Sequence, residues 1–185
     1  MKLAILGTGM VGQTLAIRML EKNHDVTIGT RDVAATRARK GKDGTGFSEW
    51  QEKHPKVKLA TFTDAAANAD LVFNATNGKT TLEALSATGK GALAGKILID
   101  ISNPLDFSKG MPPTLFVSND DSLAEHIQKA FPETKVVKSL NTLNAGLMLD
   151  PANLAGGDHS IFVSGNDAEA KAKVVEFLKS FGWKD

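Results

Sequence analysis

Residues 2–12 read KLAILGTGMVG, a short apolar run followed by three glycines in the pattern G-x-G-x-x-G. The run is typical of a strand buried on both faces, and apolar residues at helical spacing follow over Met10–Lys22. A glycine loop between such a strand and such a helix binds the pyrophosphate of a dinucleotide. Gly7 permits the tight turn, Gly9 lets the backbone approach the phosphates, and Gly12 lets the helix pack closely on the strand. The helix N-terminus would present unpaired N–H groups and a partial positive charge to the phosphates.

The same residues argue against a nucleoside triphosphatase. Gly7-x4-Gly12-Gln13-Thr14 departs from the phosphate-binding loop of those enzymes because Gln13 stands in the position of the lysine. A neutral Gln13 cannot supply the charge that binds the β and γ phosphates.

Beyond this unit, short apolar runs alternate with helical patterns. The predicted further strands are Asp25–Thr30, Lys56–Phe62, Leu71–Thr76, Lys96–Ile101, Thr134–Leu140 and Ser160–Ser164. The predicted further helices are Asp64–Ala69, capped by Thr63, then Ser122–Phe131 and Asp167–Phe181. Arg39–Pro55, which contains Gly41, Gly44 and Gly46, is expected to be an irregular surface insertion with Phe47 and Trp50 tucked down. Strands separated by helices imply crossovers, so the predicted fold is α/β: a doubly wound, Rossmann-like, mostly parallel sheet flanked by helices.

Composition bounds the function further. The chain has 185 residues, with 22 Lys and Arg against 21 Asp and Glu, and no cysteine. This length buries roughly 70% of the unfolded chain's surface, so residues 1–185 are predicted to form one domain. The balanced charge favours neither nucleic acid nor an anionic membrane, and no apolar run is long enough for a membrane span or a signal peptide. The four histidines lack metal-binding spacing, and the lack of cysteine fits a reducing cytoplasm, the expected location.

The end of the second predicted strand indicates which dinucleotide binds. An NAD site places Asp or Glu there, about 20 residues past the loop, to bind the ribose 2′-hydroxyl. Here the strand ends in Gly29-Thr30-Arg31, and a hydroxyl with a guanidinium suits a 2′-phosphate. A basic run follows, with Asp32 as the only acid before Lys42: Arg37, Arg39, Lys40 and Lys42. NADP(H) is therefore predicted over NAD(H).

Five segments carry a resemblance to a known family. They are Gly7–Gly12, Gly29-Thr30-Arg31-Asp32, Ala75-Thr76-Asn77, Ile101-Ser102-Asn103-Pro104 and Lys138-Ser139-Leu140-Asn141-Thr142. Together they resemble the coenzyme F420-dependent NADP oxidoreductase family over essentially the whole chain, and also the reductase domain of the STEAP ferrireductases, which use a flavin nucleotide. The resemblance implies hydride exchange between NADP(H) and a small-molecule acceptor, either the deazaflavin F420 or a flavin such as FMN or FAD.

The resemblance also implies roles for individual residues. The loop residues would cradle the pyrophosphate: Thr8, Gly9, Met10 and Val11. Thr30 and Arg31 would bind the 2′-phosphate. The ribose and nicotinamide side would be lined by Ala75, Thr76 and Asn77. Asn103 and Asn141 would lie at the same carboxyl edge, where open α/β sheets bind ligands.

Two positions depart from the family pattern. The family often has histidine where Asn141 stands, which brings the chain closer to the flavin-using relatives. It also has a basic residue where Ala35 stands, for which Arg37 is a substitute. The family usually continues for a further strand and helix past Asp185, in a part expected to form much of the acceptor pocket and of a homodimer contact.

Hydride transfer between two bound rings needs no nucleophile, so no catalytic side chain is predicted. Two functions stay open. One is an oxidoreductase that transfers hydride between NADP(H) and F420 or a flavin. The other is a non-catalytic NADP(H)-binding module that acts as a redox sensor or docks on a partner holding the acceptor. For the oxidoreductase, we hypothesise that Lys79 attracts an acidic acceptor tail.

Overall fold

The computed structural model describes residues 1–41 and 46–184. Six parallel strands form one sheet: β1 (Lys2–Leu6), β2 (Asp25–Thr30), β3 (Lys58–Thr61), β4 (Leu71–Asn74), β5 (Ile97–Asp100) and β8 (Lys135–Lys138). Their order is β3-β2-β1-β4-β5-β8, so the chain reverses direction across the sheet between β1 and β4. This is the strand order of the doubly wound dinucleotide-binding fold. The predicted fold class is confirmed.

Helices cover both faces of the sheet. One face carries α1 (Met10–Glu21), α3 (Phe47–Lys53), α8 (Ala145–Met148) and α9 (Ala168–Ser180). The other carries α4 (Phe62–Ala67), α5 (Thr81–Thr88), α6 (Lys90–Leu93) and α7 (Leu123–Ala130). Successive residues of β1 alternate between the two cores, because strand side chains point to opposite faces: Leu3 and Ile5 join the first, Ala4 and Leu6 the second.

Two smaller features complete the chain. The helix α2 (Val33–Ala38) follows β2 directly. A two-stranded antiparallel hairpin of β6 (Leu105–Asp106) and β7 (Thr114–Leu115) rises from the carboxyl end of β5. The hairpin places apolar side chains beside the edge where the predicted site residues lie.

The stretch predicted to be irregular contains a helix. Within Arg39–Pro55, α3 begins after Gly46, and Phe47 is buried with its ring 5.3 Å from that of Trp50. Both aromatics do pack down, and their i, i+3 spacing places them on one helix face, which tertiary packing stabilises. Lys42 of the basic run and Gly44 lie outside the described residues.

The last predicted strand and one predicted cap are wrong. Ser160–Ser164 makes only one antiparallel bridge, between Ser164 and Lys138 of β8, because the segment meets the sheet edge at a single point. Its Phe162 points into solvent. The helix expected from Asp64 begins at Phe62 instead, where the Thr61 hydroxyl rather than that of Thr63 accepts the Asp64 N–H. A Thr at the strand end outcompetes the one inside the first turn because only the former has extended backbone geometry.

Candidate functional site

The three glycines of the loop have different structural roles. Gly7 has φ +125°, and a Cβ there would lie 2.6 Å from the Ala75 carbonyl oxygen. A Cβ on Gly12 would lie 2.2 Å from the Gly7 carbonyl oxygen, so α1 can pack this closely on the loop only with glycine. Gly9, the N-cap of α1, has nothing within 4 Å of its Cβ position. The space in front of the α1 N-terminus is therefore open, as a bound phosphate requires.

One arginine of the basic run reaches this loop. The Arg39 Nη2 donates to the Thr8 hydroxyl at 2.9 Å, and the Gln13 amide donates to the Thr8 carbonyl oxygen at 2.9 Å. These residues border a cleft of about 630 Å³ between the α1 N-terminus and α3. Arg37, the arginine predicted to help, lies exposed on the last turn of α2 and outside that cleft's described lining. Arg37 and Arg39 are only two residues apart, and the sequence alone does not show which of their guanidinium groups points toward the glycine loop.

The end of β2 has the polar groups that the sequence indicated. Thr30 is buried, and its hydroxyl is 2.6 Å from that of Thr36 in α2. Arg31 is 61% exposed and forms an ion pair of 3.1 Å with Glu83, itself 66% exposed. Exposed ion pairs contribute little to stability, so the guanidinium can exchange Glu83 for a phosphate at small cost. Asp32 caps α2 by accepting the Ala35 N–H, and its carboxylate is engaged there.

A second cleft, of about 350 Å³, gathers most of the other predicted residues; we call it the central cleft. It lies where α1 begins and where β4, β5 and β8 end. Its lining includes seven residues predicted from sequence: Met10, Val11, Ala75, Thr76, Asn77, Asn103 and Asn141. Thr30, Arg31 and Arg37 belong to the β2 end of the sheet instead. The predicted site is thus one carboxyl edge with two parts.

A buried polar network under the central cleft escaped the sequence analysis. Asp100, fully buried at the end of β5, accepts from Asn74 at 2.7 Å and from the Lys138 ammonium at 2.8 Å. Lys138 also donates to the Ser102 carbonyl oxygen, and Asn74 accepts from the Thr76 hydroxyl at 2.6 Å. A buried carboxylate requires such partners. The available signal was a polar residue at the last position of each of three apolar strands.

Two loops are joined directly above this network. The Asn103 amide donates to the Asn141 carbonyl oxygen at 2.8 Å, and the Asn141 amide donates to the Asn103 side-chain oxygen at 3.1 Å. Leu140, beside Asn141, is held at φ +66°, a conformation that costs energy for a branched side chain. A Cβ on Gly78 would lie 2.0 Å from the Asn103 carbonyl oxygen. Both asparagines therefore position loops as well as line the cleft.

Lys79 is engaged in an ion pair. Its ammonium lies 2.5 Å from Asp106 of the hairpin, and this contact together with the Ser108 N–H lowers the pKa of Asp106 to about 2. The capture of an acceptor tail by Lys79 stays a prediction, and the contact gives this lysine a role as an anchor of the hairpin.

Two further properties concern the described part of the chain. None of its helices is both long and apolar enough to cross a membrane. Within residues 1–41 and 46–184, no three histidine or carboxylate side chains lie close enough to hold a metal ion together.

The sheet order, the glycine loop and the clefts at the carboxyl edge define a Rossmann-like α/β protein of the dinucleotide-binding class. Residues 2–104 match the family described as NADP oxidoreductase, coenzyme F420-dependent. The chain belongs to this family.

Individual relatives agree with that membership. The F420-dependent NADP reductase of Methanocaldococcus jannaschii is 34% identical over 95% of this chain and 78% of its own length. A crystal structure from Arthrobacter sp. FB24, assigned as an F420-dependent NADP reductase, is 60% identical with a TM-score of 0.94 and covers all of this chain and 82% of its own. The rat metalloreductase STEAP3 is 27% identical over 98% of this chain, which spans only 32% of that protein.

Proposed function

We propose that this protein is an NADP(H)-dependent oxidoreductase that exchanges a hydride with coenzyme F420. The observation that carries the proposal is the central cleft, where the start of α1 meets the ends of β4, β5 and β8. A nicotinamide that follows a pyrophosphate bound at the glycine loop enters this cleft, next to space for a second ring. Family membership and the F420-dependent relatives support F420 as that second ring.

The residues divide the work of binding the cofactor. The open face of Gly9 and the amides of the loop (Gly7, Thr8, Gly9, Met10, Val11 and Gly12) receive the pyrophosphate. Thr30 and Arg31 receive the 2′-phosphate, and Arg39, which already touches Thr8, adds a second guanidinium. The ribose and nicotinamide side is lined by Ala75, Thr76 and Asn77, with Asn103 and Asn141 beyond it.

Bound NADP(H) supplies the hydride chemistry itself. The chain contributes the orientation of the bound rings. The network beneath the cleft fixes Thr76 through Asn74, and the reciprocal amides of Asn103 and Asn141 hold the two far loops at one distance. Rate depends on placing two rings in contact, so a rigid floor is the catalytic contribution expected of this site.

Cofactor choice can be tested by titrating the protein with NADPH and NADH. We expect NADPH to bind at least about tenfold tighter, since a charge-assisted phosphate contact contributes about 1.5–3 kcal/mol. Arg31→Ala should remove most of this preference while NADH binding stays nearly unchanged. Arg39→Ala and Arg37→Ala form the comparison pair: the first should weaken NADPH binding, the second should have little effect. Equal dissociation constants for NADPH and NADH in the wild-type protein would contradict the proposal.

The acceptor is tested separately, under anaerobic mixing of NADPH with F420, FMN or FAD. Loss of NADPH absorbance with F420 supports the proposed reaction. Turnover with FMN or FAD alone would favour a flavin acceptor, as in the reductase domains that the STEAP3 similarity points to. Tight NADPH binding without turnover on any acceptor would identify a non-catalytic redox sensor or docking module instead.

The proposal extends to the organisation of the protein. We propose that residues 1–185 belong to one NADP(H)-binding domain; the packing of both core clusters of the described residues on a single sheet supports this. We also propose that the protein forms a homodimer, which light scattering of the purified protein would test. A cytoplasmic location is proposed as well, because it fits a chain without cysteine.

A further inference from the structure

Two large apolar side chains are exposed in the central cleft. Met10, the first residue of α1, is 73% exposed, and Phe107 is 52% exposed. Their neighbours in the lining are mostly small or neutral polar groups, including Thr76 and Asn103. A concave site that combines apolar surface with a few neutral polar groups is suited to a flat, largely apolar ligand. The polar side chains can bind carbonyl and ring nitrogen atoms at the edge of such a ring.

Phe107 belongs to a different element than the residues proposed to bind the pyrophosphate, the ribose and the nicotinamide. Those residues follow β1 and β4, whereas Phe107 directly follows β6, in the turn of the β6–β7 hairpin. Phe107 lines the cleft together with Asn103 and Asn141, which the proposed function places beyond the ribose and nicotinamide side. On that function, this part of the cleft is left for the second ring of a hydride transfer.

The turn that carries Phe107 is held in place. Asp106, the preceding residue, accepts from the Lys79 ammonium and from the Ser108 N–H at 3.0 Å. The Phe107 carbonyl oxygen accepts the Gly110 N–H at 2.9 Å, which closes the turn. At the base of the hairpin, the Phe116 N–H donates to the Pro104 carbonyl oxygen at 3.0 Å. An aromatic ring that is exposed yet mounted on an anchored turn is preorganised for stacking.

We infer that Phe107 is the aromatic surface against which the tricyclic ring of the hydride acceptor packs, and that it sets acceptor affinity without affecting NADP(H). This inference rests on the proposed function and names a binding residue for the acceptor side of the same site. A tricyclic ring offers a flat face of the size that an aromatic side chain covers, and stacking of this kind tolerates either a deazaflavin or a flavin.

The experiment measures binding of oxidised F420, and in parallel of FMN, to the NADP⁺-saturated protein by quenching of ligand fluorescence. Phe107→Ala should raise the dissociation constant of the acceptor about tenfold, which corresponds to about 1.4 kcal/mol. Phe107→Tyr, which keeps the ring, should stay within about twofold of wild type. Phe116→Ala is the matched control, because Phe116 is a 42% exposed phenylalanine of the same hairpin that is absent from the cleft's described lining. All variants should bind NADPH as the wild type does.

Steady-state kinetics give a second readout that a purely structural role would not change. Phe107→Ala should raise the KM for the acceptor while the KM for NADPH stays constant. If the wild-type protein binds F420 or FMN and Phe107→Ala leaves the dissociation constant unchanged, the inference is wrong and the proposed function still stands. The same conclusion follows if Phe116→Ala weakens acceptor binding as much as Phe107→Ala does. Failure of the NADP⁺-saturated wild type to bind either acceptor overturns both.

Discussion

Replacing Gly78 by alanine tests the tightest backbone contact at the candidate site. Gly78 follows the Asn77 turn after β4, and its Cβ position lies 2.0 Å from the carbonyl oxygen and 2.8 Å from the carbonyl carbon of Asn103. Ordinary contact begins at about 3.4 Å, so the Asn103 carbonyl must retreat by about 1.4 Å. That carbonyl also accepts the Leu105 N–H at 2.8 Å, and the same residue holds Asn141 through two hydrogen bonds. The methyl group therefore cannot be accommodated by a side-chain rotation.

The magnitude follows from two costs. Forcing an extra methyl group into a packed position typically costs about 1–3 kcal/mol. Each hydrogen bond lost at Asn103 adds a net cost of about 0.5–1.5 kcal/mol. We expect Gly78→Ala to lower the free energy of unfolding by about 2–4 kcal/mol, measured by urea denaturation and circular dichroism. Acceptor binding should weaken as well, because the Asn103 loop is displaced.

Gly91→Ala is the matched control. Gly91 lies in α6, has nothing within 4 Å of its Cβ position and has no positive φ. Alanine there should raise the free energy of unfolding by about 0.4–1 kcal/mol through the lower entropy of the unfolded chain. If the free energy of unfolding of Gly78→Ala lies within about 0.5 kcal/mol of the wild-type value, the loops of Gly78 and Asn103 do not approach each other this closely. The geometry assigned to the cleft would then be wrong.

Three further expectations concern the loop, the hairpin and the network. Gly9→Ala should keep the fold, as judged by circular dichroism, because nothing lies within 4 Å of the new methyl group. It should weaken the binding of NADPH and NADH alike, because the methyl group would occupy the space proposed for the pyrophosphate. Unchanged binding of both would mean that the phosphates bind elsewhere. Asp106, with its pKa lowered from 3.8 to about 2, contributes stability that is fully present above about pH 4 and is lost as the pH falls through about 2. The difference in stability between wild type and Asp106→Asn should therefore shrink below about pH 4 and vanish only below about pH 2. High salt or Lys79→Gln should reduce the difference at neutral pH. Asp100→Asn should cost about 3 kcal/mol in urea denaturation by leaving the Lys138 ammonium without its carboxylate, whereas a loss below about 1 kcal/mol would argue against an ionic network.

The sequence was most informative where one local pattern carries its own geometry. A four-residue apolar run, a G-x-G-x-x-G loop and a helical pattern are sufficient for a strand, a phosphate turn and a helix, because each depends on neighbours a few residues apart. The alternation of further strands and helices predicted the doubly wound sheet for the same reason. The prediction of a strand at Ser160–Ser164 was wrong because strand-forming residues make a strand only where their backbone runs alongside another strand, and this segment meets β8 at Ser164 alone.

The tertiary structure determines which residues that are far apart in sequence come into contact. Asn74, Asp100 and Lys138 end three strands whose adjacency depends on crossovers, and only the folded sheet turns three isolated polar residues into one buried network. The same holds for Arg39, whose guanidinium reaches Thr8 across 31 residues while Arg37 points to solvent. A sequence specifies local periodicity and backbone freedom directly. Which strand ends and loops meet is set by the burial of the whole sheet between two layers of helices, and that is a property of the folded chain.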